Sequence, residues 1–161
     1  MSSPFMADLL ARRVTRLAAV QALVAAETLG DEVFDTLEAS KDLLGLAGVR
    51  GDEEPGDEAP QVFEELERGW AYDGVQKARQ CWAQRSELDA EIASRLNANW
   101  TLERLNTTLR AALRFGLFEK ELGEVEPKVA VTEAIEVTRA LADEASVAMV
   151  CALLIDSEAK A

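Results

Sequence analysis

Wherever the chain shows a pattern of apolar and polar positions, the period is that of a helix buried on one face. Met6, Leu9, Leu10, Val14, Leu17, Val20, Gln21 and Val24 predict a first helix from about Met6 to Glu27. Gly30 stops it, and Asp31 offers a cap for the next. Val33, Phe34, Leu37 and Leu44 predict a second helix over about Glu32 to Leu44. From 45 to 60 no period survives. Gly48, Gly51, Pro55, Gly56 and Pro60 stand among Asp and Glu there, which predicts an acidic, solvated loop. Val62, Phe63, Leu66 and Trp70 predict a helix that weakens around Tyr72-Asp73-Gly74. Ala78, Cys81 or Trp82, Leu88, Ile92 and Leu96 mark another, ending near Asn97-Ala98-Asn99.

The most legible stretch runs from Leu102 to Leu141. Leu102, Leu105, Leu109, Ala112, Leu113 and Gly116 form one helical stripe, with Asn106 placed to cap free amides and Gly123 placed to end the helix. Pro127 opens a second helix, since a first-turn residue needs no amide hydrogen. Its buried stripe is Val131, Ala134, Ile135, Thr138 and Leu141 or Ala142. Together they make a helical hairpin. Phe115, Leu117 and Phe118 cannot all face one core at helical spacing, so core plus subdomain interface is their expected use. A last helix over about Asp143 to Asp156 uses Val147, Val150, Cys151 and Leu154. Sustained period-two alternation is missing throughout, which predicts an all-α fold of about seven helices.

Composition narrows the function. The 161 residues suit one domain with a real core, and 48% apolar content is ordinary for a globular protein. No run approaches a membrane span, and the N-terminus lacks a signal-peptide layout, so a cytoplasmic protein is expected. Histidine is absent altogether, removing the commonest general base and metal ligand. No phosphate-binding glycine loop, nucleophile elbow or metal spacing replaces it, so neither enzyme nor cofactor is expected. Cys81 and Cys151 are solitary and read as small core residues. Glu133 and Glu136, one turn apart, read as solvated carboxylates rather than an acid/base pair.

The net charge of −13 is unhelpful to a nucleic-acid partner. It is concentrated, however: residues 29–68 hold thirteen acids against three bases, while residues 1–28 carry Arg12, Arg13 and Arg16 against Asp8 and Glu27. Arg12 and Arg16 share a helix face, with Arg13 beside them. From the residues alone, such arginines more often just solvate the outside of a core helix.

The run Leu109-Arg110-Ala111-Ala112-Leu113-Arg114-Phe115-Gly116-Leu117-Phe118-Glu119, followed by Pro127-Lys128-Val129-Ala130-Val131-Thr132-Glu133-Ala134-Ile135-Glu136, resembles the bacterial NusB family. Arg79 to Ile92 resembles that family's Arg-Gly-Val-Leu … Glu-Leu-Asp helix, and Val20-Gln21-Ala22-Leu23 follows the arginines in the family's register. The resemblance implies one NusB-like domain over 1–161, with an N-terminal helical subdomain at about 5–75 and a C-terminal one at about 76–157. It implies a transcription antitermination factor, an adaptor in which Arg12, Arg13, Arg16 and Lys128 contact boxA-type RNA. The implied protein partners are the small-subunit ribosomal protein NusE and the RNA polymerase antitermination complex in ribosomal RNA operons. No membrane is implied, and a homodimer is left open.

The resemblance also has gaps. Val24 stands where the family usually has an aromatic. Ala148, Met149, Cys151 and Ala152 stand where its last helix usually has lysine, phenylalanine, asparagine and glycine. Stacking on aromatics contributes roughly 1–3 kcal/mol per base in single-strand recognition. The alternative reading is therefore a diverged NusB-fold protein that has lost or weakened RNA binding and works as a protein–protein regulator.

Overall fold

The structure, a computed structural model, describes the backbone of residues 4–39 and 61–155 and the side chains of 9–39 and 66–155. Seven α-helices fill the described residues: α1 (Pro4–Leu29), α2 (Val33–Ala39), α3 (Gln61–Ala83), α4 (Arg85–Arg95), α5 (Thr107–Leu122), α6 (Pro127–Leu141) and α7 (Glu144–Ile155). A 3-10 turn over Leu102–Arg104 precedes α5, and no strand occurs among the described residues. The fold is all-α, as the periodicity predicts. The expected acidic loop at 45–60, and the second helix beyond Ala39, lie outside the described residues. The chain divides into two compact units, Met1–Arg79 and Gln80–Ala161.

In the first unit α1 buries Val14, Ala18, Ala22, Leu23 and Ala26, against Val33 and Phe34 of α2 and Ala71, Val75 and Ala78 of α3 as the other core residues. So many alanines let helix backbones approach closely. Thr15 Oγ1, which donates to its own-helix Ala11 carbonyl at 2.8 Å, also lies 3.1 Å from the Trp70 carbonyl of α3. The expected weakening at Tyr72-Asp73-Gly74 does not occur: α3 runs unbroken through it. A mid-helix glycine costs about 1 kcal/mol relative to alanine, but here the missing Cβ is what admits the main chain of α1. The break falls instead at Gln84, which separates α3 from α4. Gly30, at φ +90°, ends α1, and its amide donates to the Ala26 carbonyl. Arg79 fastens α2 to α3: Nη2 reaches Asp35 at 2.8 Å and Glu38 at 2.7 Å, and the guanidinium lies over the Phe34 ring. The bonds to Asp35 and Glu38 raise its pKa further, fixing it as a cation.

The second unit is built around the hairpin α5–α6. Asn106 caps α5 by accepting from the Leu109 amide at 2.8 Å, and Gly123 ends it at φ +74°. Pro127 is the first residue of α6. The stripe beginning at Leu102 is divided: Leu102 belongs to the 3-10 turn, whose carbonyls are gathered by Arg110 Nη1. From Ala111 to Glu119 every residue of α5 is buried, which accommodates Phe115, Leu117 and Phe118 together. Gly116 opens space for Leu154 of α7 and Ala134 of α6. Arg114, 6% exposed, places Nε 2.6 Å and Nη2 2.9 Å from the two oxygens of Asp89 on α4. Asp143 starts α7 by accepting from the Ser146 amide at 2.8 Å. Arg95 and Lys120 donate to the carbonyls of Leu153 and Leu154 at its other end, satisfying groups a helix terminus leaves bare.

Candidate nucleic-acid interface

α1 carries the arginines because its inward stripe is alanine and valine, leaving the opposite side to polar groups. The three guanidiniums are not equivalent. Arg12 and Arg13 are exposed, whereas Arg16 is only 6% exposed. The expected trio is therefore a surface pair plus a packed third member. Arg16 follows Arg12 by one turn, next to Thr15, which reaches the Trp70 carbonyl of α3, and it is packed where Arg12 is not. Arg12 and Arg16 each have interactions of their own. Arg13 makes no hydrogen bond or ion pair with any described residue, so its five donors are open to a ligand. A planar guanidinium in that state suits bidentate contact to phosphate.

Lys128 belongs to the second unit, in the first turn of α6, and is exposed. Its ammonium has no partner among the described residues. Beside it lies a pocket of about 360 Å³ that also involves Lys120, a residue no motif in the sequence singles out. No spacing rule joins Lys120 to Lys128, because they reach the same place from two different helices.

The positions at which α7 departs from the family pattern lie toward solvent. Ala148 and Ala152 are exposed, Met149 and Cys151 half-buried, while Val147, Val150 and Leu154 fill the core. The departures change what the surface offers and leave the packing stripe whole.

Burial pushes the Cys81 thiol up to about 12, too high for a thiolate near neutrality. Arg114 and Asp89 satisfy one another, and Trp82 sits close to both Arg85 and Arg114 in cation–π geometry. Among the described residues no metal-holding group of three or more His, Cys, Asp or Glu gathers, and no helix is long and apolar enough to cross a membrane.

A model of the NusB family matches residues 13–158. The chain is also similar to the transcription antitermination protein NusB of Ligilactobacillus salivarius (strain UCC118), with 41% identity over 69 residues. Those residues are 43% of this chain and 53% of that protein, so the chain spans about half the length of this relative.

Proposed function

Since the chain belongs to the NusB family, we propose that it acts as a transcription antitermination factor, a non-enzymatic adaptor on nascent boxA-type RNA. Arg12 and Arg13 on α1 hold backbone phosphates, and a small-subunit ribosomal protein of the NusE kind binds alongside. The assembly acts on RNA polymerase in ribosomal RNA operons. The supporting observation is Arg13: exposed, without a partner among the described residues, and next to a second exposed arginine on a stretch, residues 1–28, that escapes the acidic excess. The name of the Ligilactobacillus relative points the same way.

Few phosphate contacts from a chain of net charge −13 imply weak binding to RNA alone. The ribosomal protein then supplies much of the affinity. The test is a titration of boxA RNA and a scrambled sequence at two salt concentrations, with and without that protein. Preference for boxA in the ternary mixture, reduced by Arg13→Glu, is the expected result. Equal binding of both sequences with the partner present rejects the reading.

A second reading, a protein–protein regulator without RNA, draws on the solvent-facing Ala148, Met149, Cys151 and Ala152 and on the burial of Arg16. It is distinguished by partner binding that persists undiminished in Arg13→Glu with no RNA recovered.

A further inference from the structure

The first turns of α6 and the last turn of α7 enclose a pocket of about 360 Å³, toward the lower end of the range for sites that hold a small ligand or a few side chains. Its apolar wall is aliphatic: Pro127, Val131, Ile135, Leu154 and Ile155. The remaining lining residues are Lys120, Lys128 and Thr132. Thus, among the described residues, two lysines and no carboxylate line a cavity in a chain that holds 30 acids and 17 bases.

The two lysines are held differently. Lys120 Nζ donates to the Leu154 carbonyl at 3.1 Å, which fixes its charge at the end of α7. Lys128 is exposed, and its ammonium engages no described residue. It also sits in the first turn of α6, where Glu126 provides no side-chain cap and the helix dipole favours an incoming anion. Ile155, at 59% exposure, leaves the apolar wall open to solvent.

The surroundings choose between kinds of anion. Glu124 and Glu126 are exposed on the turn just before Pro127, so beyond contact distance the two lysines are offset. A polyanion gains little from such a field, and the aliphatic wall has no ring on which a base could stack. What the pocket rewards is an apolar side chain that brings a carboxylate into direct contact. We propose that it is a docking site for an acidic amphipathic segment of a partner protein, which seats aliphatic or aromatic anchors between α6 and α7 and pairs its carboxylates with Lys120 and Lys128. The mode is that of an anchor side chain in a groove, with the charges setting orientation. It does not depend on the RNA reading.

The test uses the full chain and a short fluorescein-labelled peptide with leucine and phenylalanine one helical turn apart among glutamates, followed by anisotropy. Two controls replace the glutamates by lysines, or the two anchors by alanines. The acidic peptide is expected to bind at least about tenfold tighter than either control. Lys128→Glu should weaken it about fivefold or more, and Thr132→Trp, which fills the mouth of the pocket from an exposed position, should weaken it at least as much. Both variants are expected to keep the wild-type circular dichroism and melting temperature. Equal affinity for all three peptides overturns the proposal, as does no binding of the acidic one at millimolar concentration. So does an oligouridylate whose binding falls in both variants while peptide binding does not, which assigns the pocket to RNA.

Discussion

A Cβ added to Gly74 of α3 would lie 2.2 Å from the carbonyl oxygen of Thr15 on α1, and 3.0 Å from the Ala18 Cβ. The nearest obstacle is main chain, which cannot swing aside as a side-chain tip can. Gly74→Ala should therefore cost about 2–3 kcal/mol in urea denaturation, the upper part of the range for overpacking. Gly69 on the same helix has nothing within 4 Å of its Cβ position. Gly69→Ala should stabilise by roughly 0.5–1 kcal/mol, since only the entropic cost of glycine is removed. If the two substitutions behave alike, the close approach of α1 and α3 is wrong.

Asp89 and Arg114 should behave as a buried pair, their side chains being 26% and 7% exposed. Asp89→Ala leaves a guanidinium packed without its carboxylate and should cost about 3 kcal/mol. Arg114→Leu on top of Asp89→Ala should cost less than the two single changes added together. Additive losses in such a cycle would show that the pair contributes nothing jointly.

The arginines of α1 should separate into two classes. Arg13→Ala should leave the melting temperature unchanged and lower the slope of log affinity for RNA against log salt by about 1. Arg16→Ala, at a buried position, should lower the melting temperature. A salt slope untouched by Arg13→Ala removes that residue from the RNA surface.

Cysteine labelling should be selective. Cys81 is fully buried with its thiol pushed up to about 12, whereas Cys151 is half-buried. At pH 8 the native protein should react with an aromatic disulfide reagent at Cys151 alone, and Cys151→Ser should be inert until unfolded. The linkage has a definite sign. The native pKa lies above the unfolded one, near 9, so Cys81 holds its proton in the fold. Its contribution is complete below pH 9 and declines as pH rises toward 12.

Asp143 titrates in the opposite sense. The Ser146 amide and then its hydroxyl lower the carboxyl pKa from its ordinary value, because both bond to the charged form. A depressed folded pKa stabilises above the unfolded Asp pKa of about 3.9, and that stabilisation is lost as pH falls through the folded value. Asp143→Asn keeps a capping oxygen but should flatten this acid limb of the melting curve. An unchanged limb would sink the assignment.

Much of the fold is present in the spacing of residues. Asn106, Gly123 and Pro127 bound their helices where local rules put them, because caps, a left-handed terminus and a first-turn proline depend on the nearest few peptide units. Gly74 shows where those rules end. Locally it reads as a weak point in a helix, and only the backbone of α1 lying against it explains why the helix continues.

The same division holds for the surface. An all-α chain with arginines near its start, the family pattern over most of its length and the lack of histidine can all be read from residue order. Periodicity and side-chain type are properties of the chain alone. That Arg16 is packed while Arg13 is exposed, and that Lys120 and Lys128 share a pocket with Leu154 and Ile155, emerges from the folded arrangement. Exposure and proximity between distant residues depend on which helix covers which, and packing settles that after the local periods have been satisfied.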